Sequence, residues 1–200
     1  MGKKLKTGDI LQIPLPMNLG FAYARYINLV EQLPNSDLPD LLKVLDYKTK
    51  SEEYNFEELE NQDYLIAPIL VSGLPPTIRK GIWKVLDEKT SVQDYNIPHF
   101  SRHEDWVSDD SWYYCVDADS SKKVRTTLER VKHLSPLAAD GTGIIEIEIA
   151  MTFLIKEGKR VEYYFDLEEY FETVTYEKVK ATPPYYSLPK EIRDKAVGAE

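Results

Sequence analysis

Apolar and polar positions alternate near the N-terminus in the way that is typical of β-strands. Residues 7–16 predict a first strand, in which two prolines mark an edge or an exit. A turn at residues 18–20 precedes a second, aromatic-rich strand at residues 21–27. We expect the two strands to pair as a hairpin, with the small side chains of Ala22 and Ala24 on one face and larger side chains on the other.

Two other segments fit both the helical and the strand periodicity. In residues 36–48, Leu38, Leu41, Leu42 and Leu45 have helical spacing, although alternate positions from Leu41 onwards are equally typical of a strand. In residues 144–155, isoleucines alternate with glutamates like a strand, while other apolar residues of the same segment fit one helix face. Spacing alone leaves both segments undecided.

The remaining elements follow from shorter patterns. We predict a helical turn at 56–60, strands at 64–71, 81–88 and 112–116, and a short amphipathic helix within the basic segment 122–134. The sequence Ser-Gly-Leu-Pro-Pro at 72–76 should end the strand before it. Gly158 marks either a hairpin turn or the end of a helix.

Composition then excludes several classes of protein. The 200 residues contain 25 Lys and Arg against 34 Asp and Glu, so the net charge is −9, which argues against a general nucleic-acid binder. A single cysteine excludes a disulfide framework, and no apolar run reaches the ~20 residues of a membrane span. The N-terminus lacks the pattern of a secretory signal, so we expect a cytoplasmic protein.

Candidate chemistry is sparse. The chain contains none of the motifs that define a phosphate-binding loop, a dinucleotide fold or a nucleophile elbow. His99 and His103 are four residues apart and could bind a metal, although exposed surface histidines are the commoner explanation. Cys115 lies in an aromatic strand, where a buried, inert thiol is favoured over a nucleophile. A carboxylate- or metal-dependent hydrolase is therefore one alternative function.

The basic segment 122–134 gives a second alternative, a nucleic-acid-binding module. Its cations are Lys122, Lys123, Arg125, Arg130 and Lys132. On an acidic chain, an exposed helix face that balances nearby acids is the favoured interpretation.

Acidic residues occur in two blocks, 51–63 and 103–119, that contain no Lys or Arg. The second block also contains tryptophans and tyrosines, and indole rings with carboxylates are well suited to a basic protein partner. The alternative is that Trp106 folds back to anchor its loop. We select as candidate partner-binding residues Glu104, Asp105, Trp106, Asp109 and Asp110, with Glu57, Glu58 and Glu60 as a second patch.

Five motifs, in order along the chain, resemble the immunity protein 26 family of bacterial polymorphic toxin systems. They are Thr-Gly-Asp-Ile-Leu-Gln-Ile-Pro-Leu-Pro at 7–16, Gly-Phe-Ala-Tyr-Ala-Arg at 20–25, the strand at 64–71, Gly-Ile-Trp-Lys-Val-Leu at 81–86, and the aromatic strand at 112–117. The resemblance runs over about residues 6–157.

The resemblance implies an α+β fold, mainly an antiparallel twisted sheet with a few short helices in a single domain at 1–157. It favours a strand at 41–48 and a helix at 144–156. The sequence departs from the family pattern after residue 157, so we expect 158–200 to be a C-terminal aromatic and acidic extension that packs on the domain and frays at its end.

The resemblance also implies a function without catalysis or cofactors, which is the neutralisation of a cognate toxin domain. We expect stoichiometric occlusion of the toxin, for which a nuclease is one candidate, through the acidic and aromatic surface. We therefore expect a bacterial, cytoplasmic protein that is a monomer or a dimer. We expect it to bind a toxin domain and to bind neither membranes nor nucleic acids.

Overall fold

The alternating N-terminal sequence forms the predicted hairpin, β1 (Ile10–Leu15) and β2 (Gly20–Asn28). The computed structural model describes residues 5–33, 38, 40–88 and 94–199. Ala22 and Ala24 lie on the same face of β2, as expected, and this face packs in the main core. Residues 84–85 pair with β1 at Leu11 and Gln12. Pro14 lies outside this pairing, so the absence of an N–H at Pro14 removes no hydrogen bond on that side of β1.

The hairpin belongs to a six-stranded sheet whose other strands are β3 (Asp40–Thr49), β4 (Ile69–Ser72), β5 (Lys84–Val85) and β9 (Ala139–Gly141). The order of the strands is β5-β1-β2-β3-β4-β9. All neighbours are antiparallel except β4 and β9, which are parallel. A second sheet contains β6 (Phe100–His103), β7 (Trp112–Cys115) and β8 (Lys123–Thr126). With its helices, the molecule has the α+β fold that was predicted.

The helices are mostly short. They are α1 (Leu29–Gln32), α2 (Phe56–Glu60), α3 (Leu74–Arg79), α4 (Leu128–Val131), α5 (Thr142–Lys156), α6 (Tyr170–Ala181) and α7 (Lys190–Arg193). The predicted helical turn at 56–60 is confirmed as α2. None of the helices in the described part of the chain has the length and apolar character that a membrane span requires.

Residues 36, 37 and 39 of the first ambiguous segment lie outside the described residues, and from Asp40 onwards the segment is a strand, β3. The second segment is a helix. Both are the structures that the family resemblance implies. β3 is covered on two faces, with Leu42 and Val44 in one apolar cluster and Leu41 and Leu45 in two others. Burial of successive residues explains why a strand here shows no clean alternation.

The segment 144–155 lies within α5, the 15-residue helix that packs on β1. α5 is buried on most of its circumference, so its two glutamates have inward roles. Glu146 accepts a 2.6 Å hydrogen bond from Trp83 Nε1, and Glu148 pairs with Lys178. The helix ends at Lys156 with Glu157 as its C-cap, and Gly158 follows with φ of +68°, a left-handed conformation that suits glycine.

Three sequence predictions need correction. The helix predicted within 122–134 is wrong over Lys123–Thr126, which pairs with β7 as a strand, and only Leu128–Val131 is helical. The strand predicted at 64–71 is confined to Ile69–Ser72. The strand predicted at 81–88 has only two residues, β5. In each case the ladder partner, rather than local sequence, sets how far the strand extends.

The small sheet is attached to one face of the large sheet. Phe100 and Ala118 pack there against Ile27, Leu41 and Leu70. This contact holds β6 and β7 in place, and the connection between them projects from the body of the protein.

The segment after residue 157 contacts several parts of the chain. Val161 and Phe165 belong to the main core, and α6 packs against α5. Arg193, which is nearly buried, donates a 2.8 Å hydrogen bond to Asp63. Ala196 is also buried, in a small cluster with Val131 and Leu134.

Candidate partner-binding surface

The connection between β6 and β7, residues 104–111, is an ordered loop held by its own hydrogen bonds. The backbone N–H of Glu104 donates to the carbonyl oxygen of Ser111 at 3.0 Å, which closes the base of the loop. The N–H of Val107 donates to the carbonyl of Glu104 at 2.9 Å, and the hydroxyls of Ser108 and Ser111 lie 2.8 Å apart. The loop therefore presents its side chains from a defined backbone.

Trp106 stands at the exposed end of this loop. Its side chain is 70% exposed, and that of the adjacent Val107 is 57% exposed. The ring therefore does not anchor the loop to the body of the protein. Asp105, Asp109 and Asp110 are exposed beside it. We call Asp105, Trp106, Val107, Asp109 and Asp110 the Trp106 surface.

Glu104 differs from the other candidates because it is only 4% exposed. Its Oε1 accepts hydrogen bonds from Lys123 Nζ at 2.6 Å and from Arg102 Nε at 3.0 Å. The bond from Lys123, which outweighs the effect of desolvation, holds the pKa of this carboxyl below its usual range. The structure thus places Glu104 as an internal link between β6 and β8, beneath the Trp106 surface.

The second predicted patch lies on α2. Asn55 caps this helix, since its side-chain oxygen accepts a 3.2 Å hydrogen bond from the N–H of Glu58. Glu57 and Glu58 are exposed in the first turn, where negative charge suits the helix N-terminus. Glu60 is half-buried, and its carbonyl accepts a 2.6 Å hydrogen bond from Arg25.

The two patches rest on different parts of the core. Leu59 fixes α2 on a cluster that includes Ile10 and Leu45, whereas Phe100 fixes the small sheet on a cluster that includes Ile27 and Leu41. Of the two, the Trp106 surface combines exposed aromatic area with several carboxylates on one short loop. It is therefore the stronger candidate.

The two candidate metal-binding histidines are engaged by aromatic rings. His103 stacks on Trp112, with ring centroids 4.4 Å apart, and His99 stacks on Tyr114 at 5.1 Å. Burial lowers the pKa of His99, and its Nδ1 accepts a 3.3 Å hydrogen bond from the N–H of Ala196. In the described ranges, no group of three or more His, Cys, Asp or Glu side chains is placed to hold a metal ion.

Cys115 is a free, buried thiol, as expected. Burial raises its pKa, which disfavours the thiolate that a nucleophile requires.

Most cations of the basic segment have partners on this chain. Lys122 pairs with Asp117 at 3.3 Å, and Lys123 pairs with Glu104. Lys132 pairs with Glu129 at 2.5 Å, while Arg130 Nε donates to the carbonyl of Val197 at 2.7 Å. This pattern agrees with the charge-balancing interpretation of the segment.

A group of exposed apolar side chains near the start of α6 was not among the predicted site residues. Tyr170 and Phe171 are 71% and 55% exposed, and their rings meet edge to face at 5.3 Å. Tyr163 and Val174 are exposed as well. The mixture of aromatic and acidic residues in the tail is the sequence signal that marks this surface, although it does not show which rings face outward.

Two buried cations lie side by side on the large sheet. Arg25 and Lys43 are both nearly inaccessible. Lys43 Nζ donates to Asp94 at 2.9 Å, and the hydroxyl of Tyr64 donates to the other oxygen of Asp94 at 2.7 Å. Arg25 donates to the Tyr64 hydroxyl at 3.1 Å. This network ties β2 and β3 to the segments that follow them, although Nε of Arg25 is buried without a hydrogen-bond partner among the described residues.

Comparison with known protein families gives a match. The model of the family described as Immunity protein 26 matches residues 6–112, which is just over half of the chain. The matched range includes the N-terminal hairpin, the whole Trp106 surface and the first residue of β7. Searches of curated proteins and of solved structures gave no match. On the strength of the matched range, the chain belongs to the immunity protein 26 family.

Proposed function

We propose that this protein neutralises a cognate toxin domain of a bacterial polymorphic toxin system by covering it with the Trp106 surface. The observation that carries the proposal is the 70% exposure of Trp106 on a loop that is internally hydrogen-bonded. An indole held in water on an ordered loop keeps apolar area available for a partner, and tryptophan is enriched among the residues that dominate interface energies.

The negative charge around Trp106 indicates which kind of protein this surface binds. Asp105, Asp109 and Asp110 flank Trp106, and the whole chain carries a net charge of −9. Such a surface attracts a basic protein and accelerates association, while it repels acidic proteins. A nuclease toxin has a basic substrate groove, because phosphate binding requires one, and it is the toxin class that we propose.

In this proposal, the protein inhibits the toxin domain by binding to it stoichiometrically and covering it. The protein acts in the cytoplasm as a monomer or dimer, uses no cofactor and catalyses no reaction. The hydrolase and nucleic-acid alternatives gain no support from their candidate residues. Nδ1 of His99 accepts a hydrogen bond from the N–H of Ala196, and Nε2 of His103 lies 3.1 Å from the carbonyl oxygen of Asp109. Lys122, Lys123 and Lys132 pair with carboxylates.

The test is co-expression with the toxin domain that is encoded next to this gene. We expect the protein to restore growth of cells that produce the toxin and to form a stoichiometric complex on size-exclusion chromatography with light scattering. Toxicity that persists at equal expression, with no complex, would contradict the proposed function. A complex that survives both Trp106→Ala and charge reversal at Asp109 and Asp110 would contradict the proposed surface only.

A further inference from the structure

A large cleft lies between α4, α5 and the segment that follows α6. Its volume is about 550 Å³. Leu65 and Ile66 line it from the large-sheet side, Leu128 from α4, and Ile155 from α5. Tyr185 and Tyr186 line it from the C-terminal segment. We call this space the α5–α6 cleft.

The α5–α6 cleft has the properties of a small-molecule site. Its volume falls within the ~300–1,000 Å³ that is typical of ligand pockets, and most of its lining is apolar. Water in contact with such walls gains few hydrogen bonds, so displacement of that water by an apolar molecule is favourable. The walls also come from several elements that are far apart in the sequence.

Two of the charged residues that line the cleft, Glu148 and Lys178, form an ion pair. The carboxylate of Glu148, on α5, is about nine-tenths buried and pairs with Lys178 Nζ at 2.7 Å. Lys178, on α6, also pairs with Asp140 at 3.2 Å. One ammonium is therefore shared by two carboxylates.

The charge balance favours a cation. Glu129 and Lys132, which line the cleft, pair with each other and cancel. Glu148 and Lys178 line it as well, and Asp140, which is not a lining residue, shares the ammonium of Lys178, so these three groups together carry an excess of one negative charge. A buried negative charge that is only partly neutralised is stabilised by a further positive group within hydrogen-bond distance.

We propose that the α5–α6 cleft binds a small apolar molecule that carries one positive charge, of the type of a medium-chain primary amine. The ammonium group pairs with the carboxylate of Glu148. The chain lies along the apolar walls and reaches towards Tyr185 and Tyr186. This proposal is independent of the toxin-binding proposal, because none of the five residues of the Trp106 surface lines the cleft.

The direct test uses three ligands of equal chain length with the unmodified full-length protein. Decylamine, decanol and decanoate are titrated below their micelle concentrations by isothermal titration calorimetry. We expect decylamine to bind with one site per chain, decanol to bind about tenfold more weakly, and decanoate to bind most weakly. Absence of decylamine binding would overturn the proposal, and so would equal affinity for the amine and the acid.

Two variants test whether the ligand binds in the α5–α6 cleft. Glu148→Gln should weaken decylamine binding about tenfold and leave decanol binding unchanged, because only the amine uses the carboxylate. Ala181→Phe, at an exposed position on the cleft wall, should weaken both ligands by narrowing the space. Glu177→Gln, an exposed position on α6, is the matched control and should change neither. Unaltered decylamine affinity in a folded Ala181→Phe protein would exclude the cleft as the binding site.

Discussion

Arg25 and Lys43 occupy directly opposite positions on β2 and β3, so two positive side chains share one buried site of the sheet. Like charges in opposite positions destabilise a sheet unless other groups compensate. Asp94 is the carboxylate that does so, with the ring of Tyr64 within 5.8 Å of the Arg25 guanidinium and 5.5 Å of the Lys43 ammonium.

Asp94→Asn should therefore destabilise the protein. Burial opposes ionisation of Asp94, but hydrogen bonds from Tyr64 and Lys43 outweigh it and keep its pKa below the usual range. We expect a loss of about 2 kcal/mol in the free energy of unfolding, which is less than for a fully buried pair because the Asp94 side chain is 34% exposed. Urea denaturation measures the difference.

The matched control for this prediction is Lys43→Met in the Asp94→Asn background. Methionine removes the ammonium that Asp94→Asn leaves unpaired and retains much of the apolar stem, so part of the lost stability should return. If the double variant is less stable than Asp94→Asn, the buried cation is not the source of the loss.

Glu104→Gln should lower stability at neutral pH but not in acid. Because the folded pKa of Glu104 is depressed, its contribution is present above the unfolded value, near pH 4.5, and is lost as the pH falls through the folded value. The difference in Tm between the wild type and Glu104→Gln should therefore be largest at pH 7 and shrink below about pH 4. Asp105→Asn, on the exposed loop, should show little difference at either pH.

Trp106→Ala should weaken binding of the toxin domain and leave the stability of the fold almost unchanged. An exposed side chain contributes little to folding, so the free energy of unfolding should change by less than about 0.5 kcal/mol. Affinity for the toxin domain should fall by about 2 kcal/mol, or roughly thirtyfold, as for a central interface tryptophan. Calorimetry with the purified toxin domain measures this loss. Tyr170→Ala, a comparably exposed aromatic on α6, should bind like the wild type, and an equal loss there would point to the α6 surface instead.

Charge reversal at Asp109 and Asp110 should act mainly on the rate of association. Replacement of both residues by lysine removes the attraction for a basic toxin, so the association rate constant should fall at low salt and depend less on ionic strength. Stopped-flow measurements between low and physiological salt provide the comparison. An unchanged association rate at low salt would show that this loop does not steer the partner.

Gly20→Ala should destabilise the N-terminal hairpin. Gly20 has φ of +100°, and a Cβ atom there would lie 2.0 Å from the carbonyl oxygen of Thr49. We expect a loss of about 2 kcal/mol or more by chemical denaturation. Gly143→Ala in α5 is the control, since a methyl group there would meet no neighbouring side chain or strand within 4 Å and alanine favours helix, so it should be neutral or slightly stabilising. Equal effects of the two changes would contradict this account.

The sequence predicts the N-terminal hairpin because Ala22 and Ala24 alternate with larger residues and a glycine turn closes the pair. It mispredicts Lys123–Thr126 because that segment is a strand only through its pairing with Trp112–Cys115, and its apolar residue Val124 is exposed. Local periodicity carries no information on that pairing.

The candidate site, too, is predictable from the sequence only in part. Exposure of the acidic loop follows from its composition, and the structure places Asp105, Asp109 and Asp110 outward. Glu104 is equally acidic, yet it is buried because Lys123, 19 positions along the chain, reaches its carboxylate. Nothing in the sequence near Glu104 indicates that partner. The Glu148–Lys178 pair is likewise a contact between two helices, across 30 positions of the chain.

The small sheet lies along the chain between β5, at one margin of the large sheet, and β9, at the opposite margin. Both ends of the small sheet are therefore connected to the large sheet. The loop that carries Trp106 lies beyond the last paired residues of its hairpin, His103 and Trp112. Loop tips of this kind tolerate insertion and substitution without loss of the fold. On the proposal that this tip recognises the toxin, lineages that meet a new toxin can exchange the tip by itself and inherit the rest of the scaffold intact.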